Sequence, residues 1–460
     1  VVGVDRSAVQ LDSAIRARDR LGLDNLELTR ADITELTPGE QDYIVAHGVF
    51  SWVPPEVQER IFAIMAAHLA EEGLAYISYN ALPGWGVRGQ VRHVMCAQAP
   101  FDAPPSERID AARAVLETLT RTLENASTPY QLLLRGEVEL ARGRSDAYLL
   151  HEFLAPTNEA FHAEAFQERA AAHGLRFVAE LSPVTWDSWG ERFLRRELAT
   201  AARAPEDMER WMDLLHYRQF RATVLGRASV AHGPPEPLAL LARCRVAGAI
   251  RAVERRPSLD AGVTEVFVAS SGVKITAAEP ILKAALIEVG RAWPRDIPFE
   301  ELTVRVLTQL GLRRARSTEE DLTEEERSAL ARDLVELEAL GHLDLRVREL
   351  PVAPRPTERP AVTSLTRFEA ERHGWVSTPM HAMLRLDPLE RELVRVLDGS
   401  RDVVALTEAT LAAVREGRVA FRTEEGAVED EAALRSLVPG VLGQKMLRFC
   451  AHGLLRPEAA

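Results

Sequence analysis

Val1-Val2-Gly3-Val4-Asp5-Arg6-Ser7 opens the chain, a short apolar run that ends in a carboxylate. Such a run, followed at once by a Ser able to cap a helix, reads as a buried strand feeding a helix. In doubly wound α/β folds the first strand carries a Gly-rich turn. The second often ends in an acidic residue that holds a ribose. Val1 to Asp5 fits the second position, so a strand with a Gly-rich turn is expected upstream of it. The plainer role for Asp5 is to cap the next helix, where its charge also suits the positive helix N-terminus. Both roles stay open at this point.

The next 80 residues extend the pattern. Ala8 to Leu21 reads as a helix stopped by Gly22, which suits a left-handed C-terminal cap. Leu26 to Thr29 and Tyr43 to Ala46 are strand candidates. Pro54 and Pro55 open a helix to about Ala70, because Pro costs little in a first turn. Glu71-Glu72-Gly73 is expected to end it, with a strand from Leu74 to Tyr79. Strands alternating with helices indicate a parallel sheet with crossover helices.

From Ala103 to Arg142 the pattern is helical throughout. A helix from about Asn158 to His173 stops at Gly174, and two strands follow, Arg176 to Leu181 and Phe220 to Leu225. This predicts a helical insert in an α/β domain, with the last two strands closing the sheet. A Pro-rich linker at Gly233 to Pro237 precedes helices near Ile281 to Trp293, Phe299 to Gln309 and Thr323 to Leu340, then a strand at His342 to Val347. That is a winged-helix-like order. A second linker, Pro351 to Pro360, leads to a last module with helices near Pro388 to Leu397 and after Asp402 and Leu437. The domains are expected at 1–100, 101–230, 238–350 and 361–460.

Composition narrows the classes. The 460 residues imply two to four domains, and no run of about 18 apolar residues is present to span a membrane. Cys96, Cys244 and Cys450 are too few and too scattered for a disulfide framework or a zinc site, and they suit a reducing cytoplasm. A net charge of −13 argues against nucleic acid as the main partner. Only Lys274, Lys283 and Lys445 represent lysine. Genomic base composition accounts for that; an enzyme that modifies lysine and avoids offering its own is the alternative.

Five groups of residues can carry chemistry. Asp5 is the first. Asp32, after the second strand, can accept from an adenine amino group while Ile33 packs on the ring, or can simply make an Asx turn. Two carboxylates at the ends of successive strands would face one crevice. The third group is His47-Gly48-Val49-Phe50-Ser51-Trp52, where Gly48 permits close backbone approach and the aromatics can face a cation. Tyr76 to Trp85 is the fourth. The fifth is His151-Glu152, which as sequence neighbours make a poor metal pair. The chain contains no HExxH, no CxxC pair and no P-loop, and no metal is expected.

Together these residues resemble a class I S-adenosylmethionine-dependent methyltransferase of a bacterial group that carries a methyltransferase regulatory domain. The resemblance lies in VVGVDRS, LGLDNLELTRADI, DYIVAHGVFSWVPPEV and GLAYISYNALPGW. The stretch YLLHEFLAPTNEAFHAEAFQERAAAHGLRFVAEL is similar to the regulatory segment itself. The group includes protein-lysine methyltransferases. The resemblance implies a Rossmann-like α/β sheet with a helical insert and C-terminal winged-helix-like modules, S-adenosylmethionine as cofactor, and a protein substrate. It gives Asp5 to the ribose, Asp32 and Ile33 to the adenine, and His47 and Gly48 to the methionine end, with Arg6 also at the cofactor. Phe50, Trp52, Tyr79, Trp85, His151 and Glu152 would line the acceptor side, with Tyr79 or Glu152 able to take a proton.

Three rival readings remain. The acceptor can be a small molecule. The chain can be a non-catalytic binding protein that uses its winged helices. A nicotinamide oxidoreductase would also use Asp5, although Asp32 and the aromatic loops fit it less well. For a DNA-binding role, the candidate recognition helix is unsuited: Glu324, Glu325, Glu326, Asp333, Glu336 and Glu338 outnumber Arg327 and Arg332, so phosphates would repel it.

Overall fold

The computed structural model describes residues 1–181, 197–198, 200, 205–230, 236–311, 322–423, 426–428 and 430–458. Most of the first expected linker, Gly233 to Pro235, lies outside the described residues. The chain divides into two compact units, one holding 1–16 and 24–234, the other 17–23 and 235–460.

At the start of the chain, β1 (Val2–Asp5), α1 (Ala8–Leu21) and β2 (Glu27–Arg30) form a crossover, with the two strands, both in the first unit, parallel and Asp5 level with Arg30. After β3 (Gln41–Ala46) and α2 (Pro55–His68) comes β4 (Leu69–Ala81), the central strand of a second sheet. Its order is β3-β4-β7-β6, where β6 is Leu175–Glu180 and β7 is Phe220–Arg227; β5 (Ala160–Phe161) also pairs with β4. β3 and β4 run parallel, whereas β7 is antiparallel to both β4 and β6. Among the described residues β1 and β3 each keep one bare edge, and Val2, Val4, Tyr43 and Val45 are exposed there.

β4 starts earlier than the sequence predicts. Glu71-Glu72-Gly73 does not end a helix but continues the strand. Glu71 and Glu72 point to water, and a register shift between Gln41 and Tyr43 absorbs the irregularity. Gly73 is needed there, since a Cβ would lie 3.0 Å from the Asp42 carbonyl oxygen. The single helix expected from Asn158 is also divided. Ala160 and Phe161 pair with Asn80 and Ala81 as β5, and α6 (Ala163–Ala172) follows. Burial of Phe161 in the aromatic core outweighs the helical pattern around it.

The insert between β4 and β5 is helical, as expected: α3 (Gly84–Gln98), α4 (Pro105–Thr122), α5 (Pro129–Arg142) and a π-helical turn at Leu149–Phe153. It has its own core, with Val91, Met95, Leu116, Val138 and Phe153 buried together. Thr128 and Gln131 close a capping box at the start of α5.

Before β7 stands α7 (Pro205–Leu215), joined to the strand by charge. Arg221 on β7 is fully buried and meets Asp213 at 2.7 Å, Glu209 at 2.7 Å and Glu180 at 3.0 Å. A buried guanidinium is tolerable only with such partners.

The second unit holds two cores. Around the first, β8 (Arg245–Ala247) pairs with β12 (Ile297–Pro298) and β13 (Asp344–Arg346). Helices α8 (Pro237–Leu241), α9 (Pro280–Ala292), α10 (Phe299–Gln309) and α11 (Glu324–Ala339) pack on that small sheet. The three main helices and the final strand follow the predicted order. The sequence did not reveal β8, β12 or the sheet of β9 (Arg251–Ala252), β10 (Glu265–Val268) and β11 (Lys274–Ala277), whose strands are short. The second core gathers α12 (Ser364–Arg372), α13 (Pro388–Val396), α14 (Val403–Arg415) and α15 (Glu431–Ala451), with hairpin β14 (Trp375–Ser377) and β15 (Met383–Arg385). α15 begins at Glu431, before the expected Leu437, because Asp430 caps it. The Pro351 to Pro360 stretch is not a free linker: Val352 and Ala353 are buried, and the Ala353 amide donates to the Leu455 carbonyl at 2.8 Å.

Arg221→Met leaves three carboxylates without their common partner. It is expected to destabilise the first unit by about 3–5 kcal/mol, read as a lower urea midpoint.

Candidate active site

The carboxyl ends of β1 and β2 bring Asp5 and Asp32 into one neighbourhood. Arg6 Nη1 lies 3.7 Å from Asp32 Oδ2, Arg30 Nε donates to the Arg6 carbonyl at 3.2 Å, and the Ala31 amide donates to the Asp5 carbonyl. Each aspartate uses one oxygen locally. Asp5 Oδ1 accepts from the Ser7 amide at 2.7 Å, and Asp32 Oδ1 accepts from the amide and hydroxyl of Thr34 at 3.0 and 2.8 Å. The turn roles and the ligand roles are therefore compatible, since a carboxylate has a second oxygen to offer. The Thr34 bonds, with Arg6 nearby, hold the Asp32 carboxyl below its usual range, so it is ionised at neutral pH. Ile33 packs half-buried against the aromatic core.

At the end of β3, Gly48 turns the chain with φ 67, a conformation that favours glycine. Its amide donates to Ser78 Oγ on β4 at 2.8 Å. His47 is exposed; its Nδ1 lies 2.9 Å from the Tyr76 hydroxyl, and its ring contacts Phe220 edge-on at 6.1 Å. These bonds fix the loop that leaves β3 beside the end of β4.

The aromatic candidates separate into two sets. Phe50 and Tyr79 do not line an open cleft. Both are fully buried, Phe50 against Phe62 and Phe166, and Tyr79 stacked on Phe166 at 4.1 Å. Burial drives the Tyr79 hydroxyl pKa up, opposed by Arg221, and takes it out of acid–base use. The reason is strand periodicity: Ile77, Tyr79 and Ala81 point to one face of β4 and Tyr76, Ser78 and Asn80 to the other. Trp52 and His151, by contrast, stack at 4.8 Å. Trp85 and Glu152 are buried within the insert, where Arg88 lies over the Trp85 ring at 5.6 Å. His151 and Glu152 sit in the π-helical turn, His151 exposed and Glu152 buried.

Among the described residues no group of three His, Cys, Asp or Glu is arranged to hold a metal ion, and no helix is long and apolar enough to cross a membrane.

Comparison with known proteins agrees with this architecture. Residues 145–227 match the family described as "Predicted methyltransferase regulatory domain", and residues 358–454 match "PKMT, C-terminal winged helix domain". Two uncharacterized proteins of Rickettsia prowazekii are similar. One is 25% identical over 465 residues, 99% of this chain and 82% of that one. The other is 34% identical over 171 residues, 37% of this chain and 68% of that one. The chain belongs to the PKMT-like methyltransferase family. PKMT2 from Rickettsia typhi has the same fold over 99% of this chain and 89% of its own, with a TM-score of 0.82 at 23% identity. The structure of that protein in complex with AdoHcy gives 0.81 at 22%.

In this PKMT-like chain, residues that the sequence left without a role hold the site together. Ser51 Oγ accepts from the Asn80 amide at 2.9 Å, Asn80 Nδ2 donates to Asn158 Oδ1 at 2.9 Å, and Asn158 Nδ2 donates to the Glu152 carbonyl at 2.7 Å. Gln58, fully buried, donates to the carbonyls of Phe50 and Val53 at 3.1 Å each. Polar residues inside an apolar pattern, such as Ser78 and Asn80 in a strand, were the available signal. Their partners lie up to 78 residues away and leave no periodic trace.

Burial holds the Glu152 carboxyl above its usual range, against the lowering pull of Arg88 and Arg144. A carboxyl raised in the folded state keeps a proton that the unfolded chain releases. Its contribution therefore favours folding at low pH and is lost as pH rises through the unfolded and then the folded value. Glu152→Gln is expected to raise the melting temperature at neutral pH and to lose that advantage below about pH 4.

Proposed function

We propose that this chain is an S-adenosylmethionine-dependent methyltransferase that acts on lysine side chains of protein substrates in the cytoplasm. One observation carries the reading. Asp5 and Asp32 stand at the carboxyl ends of adjacent parallel strands, linked through Arg6, each with one carboxylate oxygen not used by its own turn. That is the position and chemistry for a ribose diol and an adenine amino group. The Gly48 turn and His47 follow on the next strand end, toward the methionine portion. The AdoHcy complex of the R. typhi PKMT2, which shares the fold, supports the choice of ligand.

Bound there, S-adenosylmethionine supplies a methyl group activated by its sulfonium. The chain's own part is placement and exclusion of water, which can supply much of the rate for an in-line transfer. In this reading Trp52, with His151 and Trp85 of the insert, shapes the acceptor side. For taking the amine proton this reading keeps Glu152, in the π-helical turn, ahead of Tyr79, which is buried in the aromatic core, with water as the alternative. The domains are then the sheet at 1–100, the insert and closing strands at 101–230, and two modules at 238–350 and 361–460 that contact the protein substrate or serve as a scaffold.

Calorimetric titration of the protein in its longest natural form should show binding of S-adenosylhomocysteine and none of NAD. Asp5→Ala and Asp32→Ala should each weaken that binding about tenfold or more, as expected for a lost charge-assisted hydrogen bond. Lack of S-adenosylhomocysteine binding by the unsubstituted protein would sink the proposal.

A further inference from the structure

The loop that leaves β3 is tied to β4 by a chain of polar groups whose two ends lie on neighbouring residues. The Gly48 amide donates to Ser78 Oγ at 2.8 Å, and His47 Nδ1 lies 2.9 Å from the Tyr76 hydroxyl. Tyr76 and Ser78 are two apart on β4, so their side chains share one face of the strand. Register sets Val45 beside Tyr76, and His47 meets the hydroxyl from just past the end of β3. Ser78 is fully buried and Tyr76 half-buried, while His47 is exposed. The His47 ring is braced on two sides, stacked with Tyr76 at 5.8 Å and met edge-on by Phe220 at 6.1 Å.

Protons along this chain run in one direction. A hydroxyl has one proton to give and two lone pairs to offer. Burial raises the Tyr76 hydroxyl above its usual range, against a hydrogen bond with Ser78 that lowers it. Tyr76 therefore keeps its proton at neutral pH. A bond that lowers a phenol's pKa is one donated to its oxygen, which favours the ionised form. Ser78 can donate it, because its own oxygen already accepts from the Gly48 amide. The Tyr76 proton then goes on to His47 Nδ1. The reverse arrangement, with Nδ1 donating, would leave the Tyr76 proton without an acceptor among these groups. A neutral imidazole has one N–H, so with Nδ1 accepting, the hydrogen sits on Nε2. Among the described residues that nitrogen has no hydrogen-bond partner.

We propose that Ser78 and Tyr76 make His47 a one-way donor, whose Nε2–H takes the carboxylate of the cofactor's amino-acid portion. The carboxylate depends on the methyltransferase reading; the donor assignment depends only on the hydrogen bonds. A lone N–H beside a strand end calls for an acceptor, and an ionised carboxylate is a stronger one than any neutral group. The same proton count withdraws His47 from taking the amine proton, since in this tautomer its outer nitrogen has no lone pair to offer. Tyr76 and Ser78 are positioning residues that act through His47.

Two measurements on the protein in its longest natural form test this. The first is ring-nitrogen NMR with isotope-labelled histidine, at a pH where the imidazole is neutral. The His47 signals, identified by their loss in His47→Gln, should show a bare Nδ1 and a protonated Nε2. Tyr76→Phe should move both toward the values of a tautomer mixture. A protonated Nδ1 in the unsubstituted protein overturns the donor assignment. The second is calorimetry with S-adenosylhomocysteine and with 5′-methylthioadenosine, which lacks the amino-acid portion. His47→Ala should weaken the first about tenfold, the size expected for one charge-assisted hydrogen bond, and leave the second unchanged. His47→Gln, whose amide keeps a donor near the Nε2 position, should recover part of the loss. Tyr76→Phe should show a smaller loss of the same kind. Equal changes for the two ligands in His47→Ala, or no change for either, overturn the carboxylate contact and leave the methyltransferase reading standing. If the unsubstituted protein binds neither ligand, the methyltransferase reading falls and takes the carboxylate contact with it.

Discussion

Strand β4 is the constraint on which the first unit depends. It runs from Leu69 to Ala81, pairs with β3 on one side and β7 on the other, and has β5 added at its end. Alternation then divides its side chains between two environments. One row, Ala75, Ile77, Tyr79 and Ala81, is buried, with Tyr79 in the phenylalanine cluster. The other, Tyr76, Ser78 and Asn80, meets His47, Gly48 and Asn158 through hydrogen bonds. A slip of one residue would exchange the rows, taking Tyr79 out of the phenylalanine cluster and parting Ser78 and Asn80 from their hydrogen-bond partners.

From that strand the polar network reaches the helical insert. Ser51, Asn80, Asn158 and the Glu152 carbonyl form a chain of bonds from the β3–α2 loop to the π-helical turn. Buried polar groups are costly unless each is satisfied, so such a chain specifies one arrangement rather than simply adding stability. It positions Trp52 against His151 and fixes Glu152 near Arg88. On the far side of the sheet Arg221 performs the corresponding task with charge, tying β7 to α7 through Asp213 and Glu209.

Much of this was legible along the chain. The parallel strands, the helices with Pro at their first turns, the helical insert and the three-helix order near 280–340 follow from local periodicity and caps. The strand-end positions of Asp5, Asp32 and Gly48 were readable because a turn must begin where a strand ends. Phe50 and Tyr79 were misread as cleft residues, since an aromatic near a strand end has the same local sequence whether it faces ligand or core. Short strands such as β5, β8 and β12 were missed because two or three residues carry no period.

The sequence by itself determined the element order and the carboxylates at the strand ends, because hydrogen bonds within helices, caps and turns involve near neighbours. Only the tertiary structure decided which aromatic residues were sealed away and which carboxyls were paired. Glu137 meets Arg88 across 49 residues and Gln219 across 82. Those meetings depend on packing between elements, and packing is set by how the whole chain shares its buried surface.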